Sequence, residues 1–335
     1  MSQIPPLYDN LFSYLRQHLS GPTSQILNVA LFVYGVFKAR SCALGSVADE
    51  LPIEGNRQSR IRRFKRFLKN LRLKPKQMYF TLLVPFLFRW PSDQELVIIL
   101  DRTEVCGFNI LFAALAFRGR AIPLTWDILD HKGACCFSEQ KKLLDVICAI
   151  LPEKVKIVLM ADSEFRSQDL FTYAVSHAWD YALGHKGDTY IFCSDFPEGR
   201  RLDSLPVTPD HPVYVNGVYL TRVHQFGPVN VIAYWDDENT CTRYRITNRV
   251  ANGYTLRWMR QRGWIEGMFR DFKSGGFRGV EHQHPPRHRT DSAWYRGDPC
   301  GPLARSRKIY ISTDRSVLQA VYAHVDHNRT VLNPL

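Results

Sequence analysis

Residues 96–103 are Leu96-Val97-Ile98-Ile99-Leu100-Asp101-Arg102-Thr103, five bulky aliphatic residues followed at once by a carboxylate, a cation and a hydroxyl. A short, unbroken apolar run rich in β-branched residues is typical of a strand buried on both faces of a sheet. Because α/β folds keep their chemistry at the carboxyl ends of such strands, Asp101 is a candidate functional residue. Taken alone, an Asp in this place more often only caps a turn, so the rest of the chain has to decide between the two interpretations.

A second apolar run ends in the same way. Ile157-Val158-Leu159-Met160-Ala161 is again short and hydrophobic, and Asp162 follows it directly. If the two strands are neighbours in one sheet, their carboxyl ends bring the side chains of Asp101 and Asp162 together. Glu164 lies shortly after Asp162, where it either orients such a site or is an ordinary surface glutamate.

The order of the predicted elements indicates the fold class. Apolar runs and helical spacing predict further strands at 110–117, 121–129, 181–183 and 190–193, and helices at 139–151 and 170–178. The resulting order, β-β-β-α-β-α-β, is that of a ribonuclease H-like domain. Residues 91–194 are therefore interpreted as the first part of a catalytic core, and the predicted fold class is α/β with a ribonuclease H-like mixed sheet.

A β-rich insertion is predicted to interrupt this core. Residues 195–250 contain several strand-like runs, and Asn216-Gly217 between two of them predicts a tight hairpin, because this pair tolerates the positive φ of its turn. Residues 251–279 return to helical spacing and carry Glu266, with Lys273 near the same stripe of that helix. The segment 280–335 lacks periodicity and is interpreted as an irregular tail.

The first part of the chain, residues 1–90, is predicted to form a helical DNA-binding domain. A strongly basic helix begins near Arg57, and its run of cations continues to Lys76. The candidate DNA-contacting residues on it are Arg62, Arg63, Lys65 and Arg66. Like-charged neighbours repel on a helix, so the pattern favours a polyanionic partner and a module similar to a helix-turn-helix. The alternative is a solvated surface helix, which is the usual fate of a charge run.

Composition limits the classes of function. The chain has 335 residues and a formal net charge of +12, which favours a nucleic-acid partner. Its eight cysteines form no C-x2-C pair, and no Cys/His spacing suits zinc. The apolar stretch at 26–37 is too short to span a bilayer and no signal-peptide pattern is present, so we expect a cytoplasmic protein with no membrane partner.

The residues Asp101, Asp162 and Glu266 form a candidate metal centre. Three carboxylates in one cleft repel one another unless they share a divalent cation, and hard oxygen ligands select Mg²⁺ or Mn²⁺. Two such ions can activate a water or a 3′-hydroxyl and stabilise the leaving oxygen of a phosphodiester. The three carboxylates therefore favour phosphodiester chemistry.

Four stretches resemble, in the same order, bacterial insertion-sequence transposases of the DDE type, in the group with the Y-x2-R-x3-E-x6-K signature. They are Leu100-Asp101-Arg102-Thr103, Ile122-Pro123-Leu124-Thr125-Trp126, Ala161-Asp162-Ser163-Glu164-Phe165 and Trp264-Ile265-Glu266-Gly267-Met268-Phe269-Arg270-Asp271-Phe272-Lys273-Ser274. The resemblance covers about residues 80–277. The chain departs from the pattern at the signature Tyr, which falls on Met259, and after Asp162, where the usual Arg is Ser163.

The resemblance implies cut-and-paste DNA transposition by a ribonuclease H-like core that holds two Mg²⁺ or Mn²⁺ ions. In that picture Asp101, Asp162 and Glu266 are the catalytic metal ligands. Arg262 and Lys273 match the signature cations, which hold phosphates of the transposon end. The implied partners are the terminal inverted repeats, the target DNA and a second copy of the chain in a synaptic homodimer.

The resemblance ends after Phe277, where the family continues with a Leu/Ala-rich helix and this chain does not. We hypothesise that the gene is frameshifted after about Gly279; translating the neighbouring frame should then restore that helix. The tail histidines His282, His284 and His288 are interpreted as part of a solvated segment rather than as a metal site. Two alternatives stay open: a catalytically impaired, transposase-derived DNA-binding protein, and a ribonuclease H-like nuclease or resolvase.

Overall fold

The computed structural model describes residues 5–70, 72–105, 108–152, 154–222 and 225–275. The chain forms two compact units. One comprises residues 1–89, 105–108 and 269–335, and the other comprises residues 90–104 and 109–268. The predicted tail at 280–335, with its three histidines and the hypothesised frameshift, lies outside the described residues.

The first unit is helical over the start of the chain, as predicted. Its helices are α1 (Pro6–His18), α2 (Thr23–Ala39), α3 (Leu44–Asp49), α4 (Arg57–Leu68) and α5 (Pro75–Phe88). The apolar faces of α2, α3 and α4 share one core, in which Leu31, Val47 and Phe64 are fully buried. Asn56 begins α4 by accepting a hydrogen bond from the Ser59 N–H at 2.8 Å, a typical N-terminal cap.

The basic helix is shorter than its run of cations predicted. α4 ends at Leu68, and α5 starts at Pro75, whose ring suits the first turn of a helix but not its interior.

The connection between α3 and α4 bears on the predicted helix-turn-helix. The two helices are joined by an ion pair in which Arg57 donates to Asp49 at 2.7 Å. Residues 50–56 join these two helices, a longer connection than the roughly three- or four-residue turn of a helix-turn-helix motif.

The second unit is built on one mixed sheet. Its strands are β1 (Leu96–Val105), β2 (Phe108–Phe117), β3 (Arg120–Leu129), β4 (Ile157–Ala161), β5 (Asp180–His185), β6 (Tyr190–Cys193), β7 (Phe196–Arg201), β8 (Val213–Leu220), β9 (Phe226–Asp236) and β10 (Cys241–Thr247). They lie in the order β3-β2-β1-β4-β5-β10-β9-β8-β6-β7. Strands β1, β4 and β5 are parallel, whereas β2 is antiparallel to β3 and β10 is antiparallel to β5.

The order of elements up to β5 is the one predicted. Helix α6 (Phe137–Ile150) precedes β4, and helix α7 (Gln168–Ser176) lies between β4 and β5. The fold class is therefore α/β with a mixed sheet. The aliphatic run of β1 from Leu96 to Leu100 is fully buried, as expected of a strand with neighbours on both sides.

Strands from residue 190 to residue 247 form an antiparallel extension of the same sheet. β10 joins this extension to β5, and β9, β8, β6 and β7 follow outward. β6, which the sequence assigned to the core before the insertion, lies between β8 and β7 near the edge of the sheet. The predicted insertion is thus hydrogen-bonded directly to the parallel strands.

The hairpin predicted at Asn216-Gly217 was wrong. Both residues lie inside the single strand β8, where the register with β9 shifts between the pairs Val215–Val231 and Val218–Val229. Two residues of β8 therefore oppose Asn230 alone, which is the definition of a β-bulge. The Asn230 side chain accepts a hydrogen bond from the Gly217 N–H at 2.9 Å, and Gly217 has a φ of 72°.

The segment that carries Glu266 is not one continuous α-helix. Helix α8 (Gly253–Met259) leads into a 3₁₀ turn at Arg260–Gly263, which is followed by α9 (Trp264–Arg270) and a π-helical turn at Asp271–Gly275. Asn252 begins α8 by accepting from the Thr255 N–H at 2.9 Å. The helical spacing in the sequence located this region but not the change of helix type within it.

Candidate active site

Pairing between β1 and β4 brings Asp101 and Asp162 to the same level of the sheet. The last parallel pair of these strands is Leu100–Ala161, and each Asp is the next residue of its strand or chain. The sequence predicted that Asp101 ends its strand, but β1 continues to Val105. The shorter strand β4 ends at Ala161, beside Leu100. The buried side chain of Asp101 therefore lies level with the end of β4.

Both aspartates face the guanidinium group of Arg262. Its Nη2 donates to Asp101 Oδ2 at 3.1 Å and lies 3.3 Å from Asp162 Oδ2. The Asp162 side chain is also paired with Arg245, whose Nη1 lies 3.6 Å from Oδ1. Two carboxylates that would otherwise repel each other are therefore held together by positive charge between them.

Glu266 joins this cluster through the other nitrogen of the same guanidinium. Arg262 Nη1 donates to Glu266 Oε1, an i,i+4 pair that spans the 3₁₀ turn and the start of α9. The Glu266 side chain is 55% exposed, whereas that of Arg262 is only 16% exposed. The three carboxylates predicted from the sequence thus converge on one buried cation.

The two aspartates have shifted pKa values of opposite direction. Burial raises the pKa of Asp101 to about 6, although Arg262 and the Arg102 N–H oppose this shift. Burial alone would also raise the pKa of Asp162, but the guanidinium groups of Arg262 and Arg245 outweigh it and hold that pKa below its usual value. Asp162 is therefore charged at neutral pH, while Asp101 changes its charge close to pH 6.

A second group of side chains adjoins the cluster, and of its members the sequence singled out only Glu164, as a residue that either orients the site or lies on the surface. Arg102 donates to Asn109 at 2.8 Å and to Glu164 at 3.0 Å, so Glu164 is half-buried in an ion pair. Asn109 donates in turn to the His131 carbonyl at 2.8 Å. Arg102 could have been suspected from its position next to Asp101. Asn109 carried no local signal, because strand pairing alone brings it to the site.

The donor chemistry of the cluster suits a divalent cation, but a guanidinium holds the central position. Asp101 and Asp162 direct oxygens, the ligands that Mg²⁺ and Mn²⁺ prefer, at a single nitrogen of Arg262. Glu266 binds the other nitrogen and is not grouped with them. In the part of the chain that the structure describes, no set of three or more His, Cys, Asp or Glu side chains is arranged to hold a metal ion. The two aspartates fit as ligands, and Glu266 can join them only if Arg262 moves.

No protein-family model matches the chain, and no curated protein matches it either. Along the described residues, no helix is both long enough and apolar enough to cross a membrane. The carboxylate cluster and its surroundings are therefore the features of this chain that bear on its function.

Of the residues predicted to contact DNA, the four on α4 lie in the helical unit, whereas Arg262 lies in the sheet unit. On α4, the side chains of Arg62, Lys65 and Arg66 are exposed, whereas Arg63 is half-buried and donates to Asn28 at 2.7 Å. A cavity of about 410 Å³ lies between the start of α2 and the end of α4, and Arg63 and Arg66 line it. Lys273 is half-buried in the π-helical turn, which belongs to the same compact unit.

Proposed function

We propose that the chain is a DNA transposase of the DDE type, with a ribonuclease H-like catalytic core. The observation that carries the proposal is the convergence of Asp101, Asp162 and Glu266 on one position of positive charge, Arg262. The order β-β-β-α-β-α-β and the parallel pairing of β1 with β4 support it, because they are what the ribonuclease H-like resemblance predicts. The net charge of +12 suits a DNA partner.

In this proposal Asp101 and Asp162 would hold Mg²⁺ or Mn²⁺, and Glu266 would complete the ligand set once Arg262 has moved. The bound metal would activate a water or a 3′-hydroxyl and stabilise the leaving oxygen of the phosphodiester. Arg245 keeps Asp162 ionised and oriented, and the pair Arg102–Glu164 links β1 to the turn that follows Asp162. The resemblance assigns Arg262 and Lys273 to phosphates of the transposon end. Arg262 could take this role once metal binding has released it from the carboxylates.

The proposal includes two metal ions, terminal inverted repeats and target DNA as substrates, a synaptic homodimer and a cytoplasmic location. Each of these follows from the resemblance or from composition. Arg62, Arg63, Lys65 and Arg66 on α4 are proposed to contact DNA outside the catalytic core. Of these four, Arg63 already donates a hydrogen bond to Asn28. We therefore expect the three exposed side chains, Arg62, Lys65 and Arg66, to make most of the DNA contacts.

A catalytically impaired DNA-binding derivative is the second candidate. Two observations favour it. Met259, which stands at the signature Tyr, is buried and carries no hydroxyl for a phosphate. Glu266 is engaged with Arg262 rather than with the aspartates. Such a protein would bind DNA through its basic surface without cutting it.

The deciding experiment is strand cleavage of DNA that carries the terminal repeats flanking the gene, with Mg²⁺ or Mn²⁺ and with EDTA. We expect metal-dependent nicking and joining that Asp101→Ala abolishes, and that Asp195→Ala, an exposed Asp in the turn between β6 and β7, leaves intact. DNA binding without cleavage by the unmutated chain would favour the derivative. Cleavage of branched DNA or RNA–DNA hybrids without strand joining would instead indicate a nuclease or resolvase.

A further inference from the structure

A basic cavity of about 200 Å³ lies next to Asp162, on the side away from the strand β1. Its walls come from the residue after Asp162, from the end of β5 and the turn that follows it, and from β10. The side chains that matter for its chemistry are Ser163, Lys186, Thr242, Arg243 and Arg245. It is distinct from the Arg262 cluster but shares Asp162 with it.

The cavity has an excess of positive charge. Lys186, Arg243 and Arg245 line it, against the single carboxylate of Asp162. Arg245 already has two partners within the protein: it pairs with Asp162 at 3.6 Å and donates to the Ala161 carbonyl at 3.0 Å. Arg243 donates from Nε to Asp236 at 3.0 Å, and Lys186 is exposed at the rim. Arg245 thus offsets Asp162, which leaves Lys186 and part of Arg243 for a ligand.

Neutral donors complete the lining. Ser163 and Thr242 supply hydroxyl groups, which can donate to an anion. His185 adds no charge at neutral pH, because burial lowers its pKa to about 4. Cations together with hydroxyl donors, and few acceptors, are the lining that a phosphate group requires.

The backbone beneath the cavity is fitted closely. A Cβ added at Gly184 would lie 2.5 Å from the Ser163 nitrogen and 2.7 Å from Arg245 Nη1, so only glycine lets β5 approach the Asp162–Ser163 peptide. At Gly187, a Cβ would lie 2.9 Å from Asp203 Cβ. The floor of the cavity is therefore fixed by packing, and its position relative to Asp162 is fixed with it.

We infer that this cavity binds a DNA phosphate that is adjacent to the phosphodiester at the carboxylate cluster. The inference deepens the proposed function and rests on it for the identity of the substrate. A volume of about 200 Å³ is below the roughly 300–1,000 Å³ of sites for drug-sized ligands, so it suits one phosphate rather than a whole cofactor. The same chemistry would accept the phosphate of a free nucleotide, and the experiment has to separate the two sources.

The test compares Lys186→Gln with Lys142→Gln in the full chain. Both lysines are exposed, and Lys142 lies on α6, away from the cavity lining. Binding of a short fluorescent duplex is measured by anisotropy over a range of salt concentrations in EDTA. We expect Lys186→Gln to weaken binding by roughly three- to tenfold at low salt and to reduce the salt slope by about 0.9, the value for one phosphate contact. Lys142→Gln should change neither quantity.

A second variant and a second probe keep the result unambiguous. Arg243→Gln should weaken duplex binding in the same way, provided that circular dichroism shows it folded. Unchanged affinity and slope in Lys186→Gln, with Arg243→Gln folded and equally unchanged, would overturn the inference. Thymidine 3′,5′-bisphosphate, followed by calorimetry, is the mononucleotide probe; tight binding of this probe, with no effect of Lys186→Gln on duplex binding, would overturn the assignment to DNA. A reduced slope in a chain that never cleaves DNA would support the phosphate site while refuting the transposase.

Discussion

Arg262 is the residue on which the charge balance of the site depends. Its guanidinium is mostly buried and pairs with Asp101, Asp162 and Glu266, so it acts as the internal counter-ion of three carboxylates. A buried charge is tolerated when it is paired, and removal of one partner is costly because the others are left uncompensated. A metal bound by the same carboxylates would have to displace this arginine.

The first prediction concerns Arg262→Gln. In EDTA, we expect the free energy of unfolding to fall by about 3–5 kcal/mol, the range for breaking a buried ion pair. Mn²⁺ should restore more stability to this variant than to the wild type, because the metal no longer competes with a guanidinium. Urea denaturation with and without Mn²⁺ measures both effects.

The matched control for that prediction is Arg222→Gln. Arg222 is 75% exposed and its pair with Glu198 is 4.0 Å long, so the change should alter stability by less than about 0.5 kcal/mol. If Arg262→Gln were as mild as this control, Arg262 would not be the counter-ion of the cluster. If Mn²⁺ stabilised the wild type and Arg262→Gln equally, the competition between metal and arginine would be refuted.

The second prediction follows from the raised pKa of Asp101. In the unfolded chain this carboxyl loses its proton near pH 3.8, whereas in the folded protein it keeps the proton up to about pH 6. The contribution of Asp101 to stability is therefore greatest below pH 4 and declines as the pH rises to 6, by about 3 kcal/mol from a shift of about two pKa units. Asp101→Asn cannot ionise, so in EDTA it should gain on the wild type across this interval and keep that advantage at pH 8.

The measurement for Asp101→Asn is urea denaturation at several pH values between 4 and 8. Titrating groups that do not interact with Asp101 cancel in the difference between variant and wild type, which isolates Asp101 and its immediate neighbours. A difference that stays constant over this range would contradict the raised pKa. Asp195→Asn, in the exposed turn after β6, is the control and should give a flat difference.

At the scale of the elements, the bulge in β8 illustrates how a backbone requirement is met. Gly217 has a φ of 72°, and a Cβ added there would meet nothing within 4 Å, so a side chain faces only a conformational cost. We predict that Gly217→Ala lowers the free energy of unfolding by about 1–2 kcal/mol, the cost of the left-handed region for an ordinary residue. Gly217→Asn should cost less, since Asn tolerates that region.

Gly263→Ala is the control for the bulge. A Cβ at Gly263 also meets nothing within 4 Å, but its φ lies outside the left-handed region. Its replacement should be neutral or slightly stabilising. Equal losses at Gly217 and Gly263 would show that the positive φ is not what the bulge requires glycine for.

The sequence predicted those elements whose pattern is local. β1 and β4 were located because their aliphatic runs are unbroken, and the two aspartates were located with them. Asn216-Gly217 was misassigned because a hairpin turn and a bulge both need a positive φ, and only the pairing of β8 with β9 tells them apart. The central position of Arg262 depends on where β1, β4 and the 3₁₀ turn meet, which no local pattern contains.

At the scale of the whole molecule, the question is which surface carries the excess cations behind the net charge of +12. Two basic regions have been described, the cavity beside Asp162 and the exposed face of α4. Charge alone does not distinguish a DNA-binding surface from a solvated helix, since both are polar and exposed. The salt dependence of DNA binding does distinguish them, because only cations that contact phosphates release counter-ions.

The last prediction therefore compares two triple variants with the same loss of charge. One replaces Arg62, Lys65 and Arg66 of α4 by Gln, and the other replaces Lys142, Lys154 and Arg222 of the sheet unit by Gln; all six side chains are exposed. If α4 contacts DNA, the first variant should bind a duplex at least tenfold more weakly at low salt, with a salt slope smaller by up to about 3. The second should lose little, because its cations are dispersed over the surface. Equal losses in the two variants would mean that the overall charge attracts DNA and that α4 is a solvated face, whereas a loss confined to the first would assign the basic helix to the DNA.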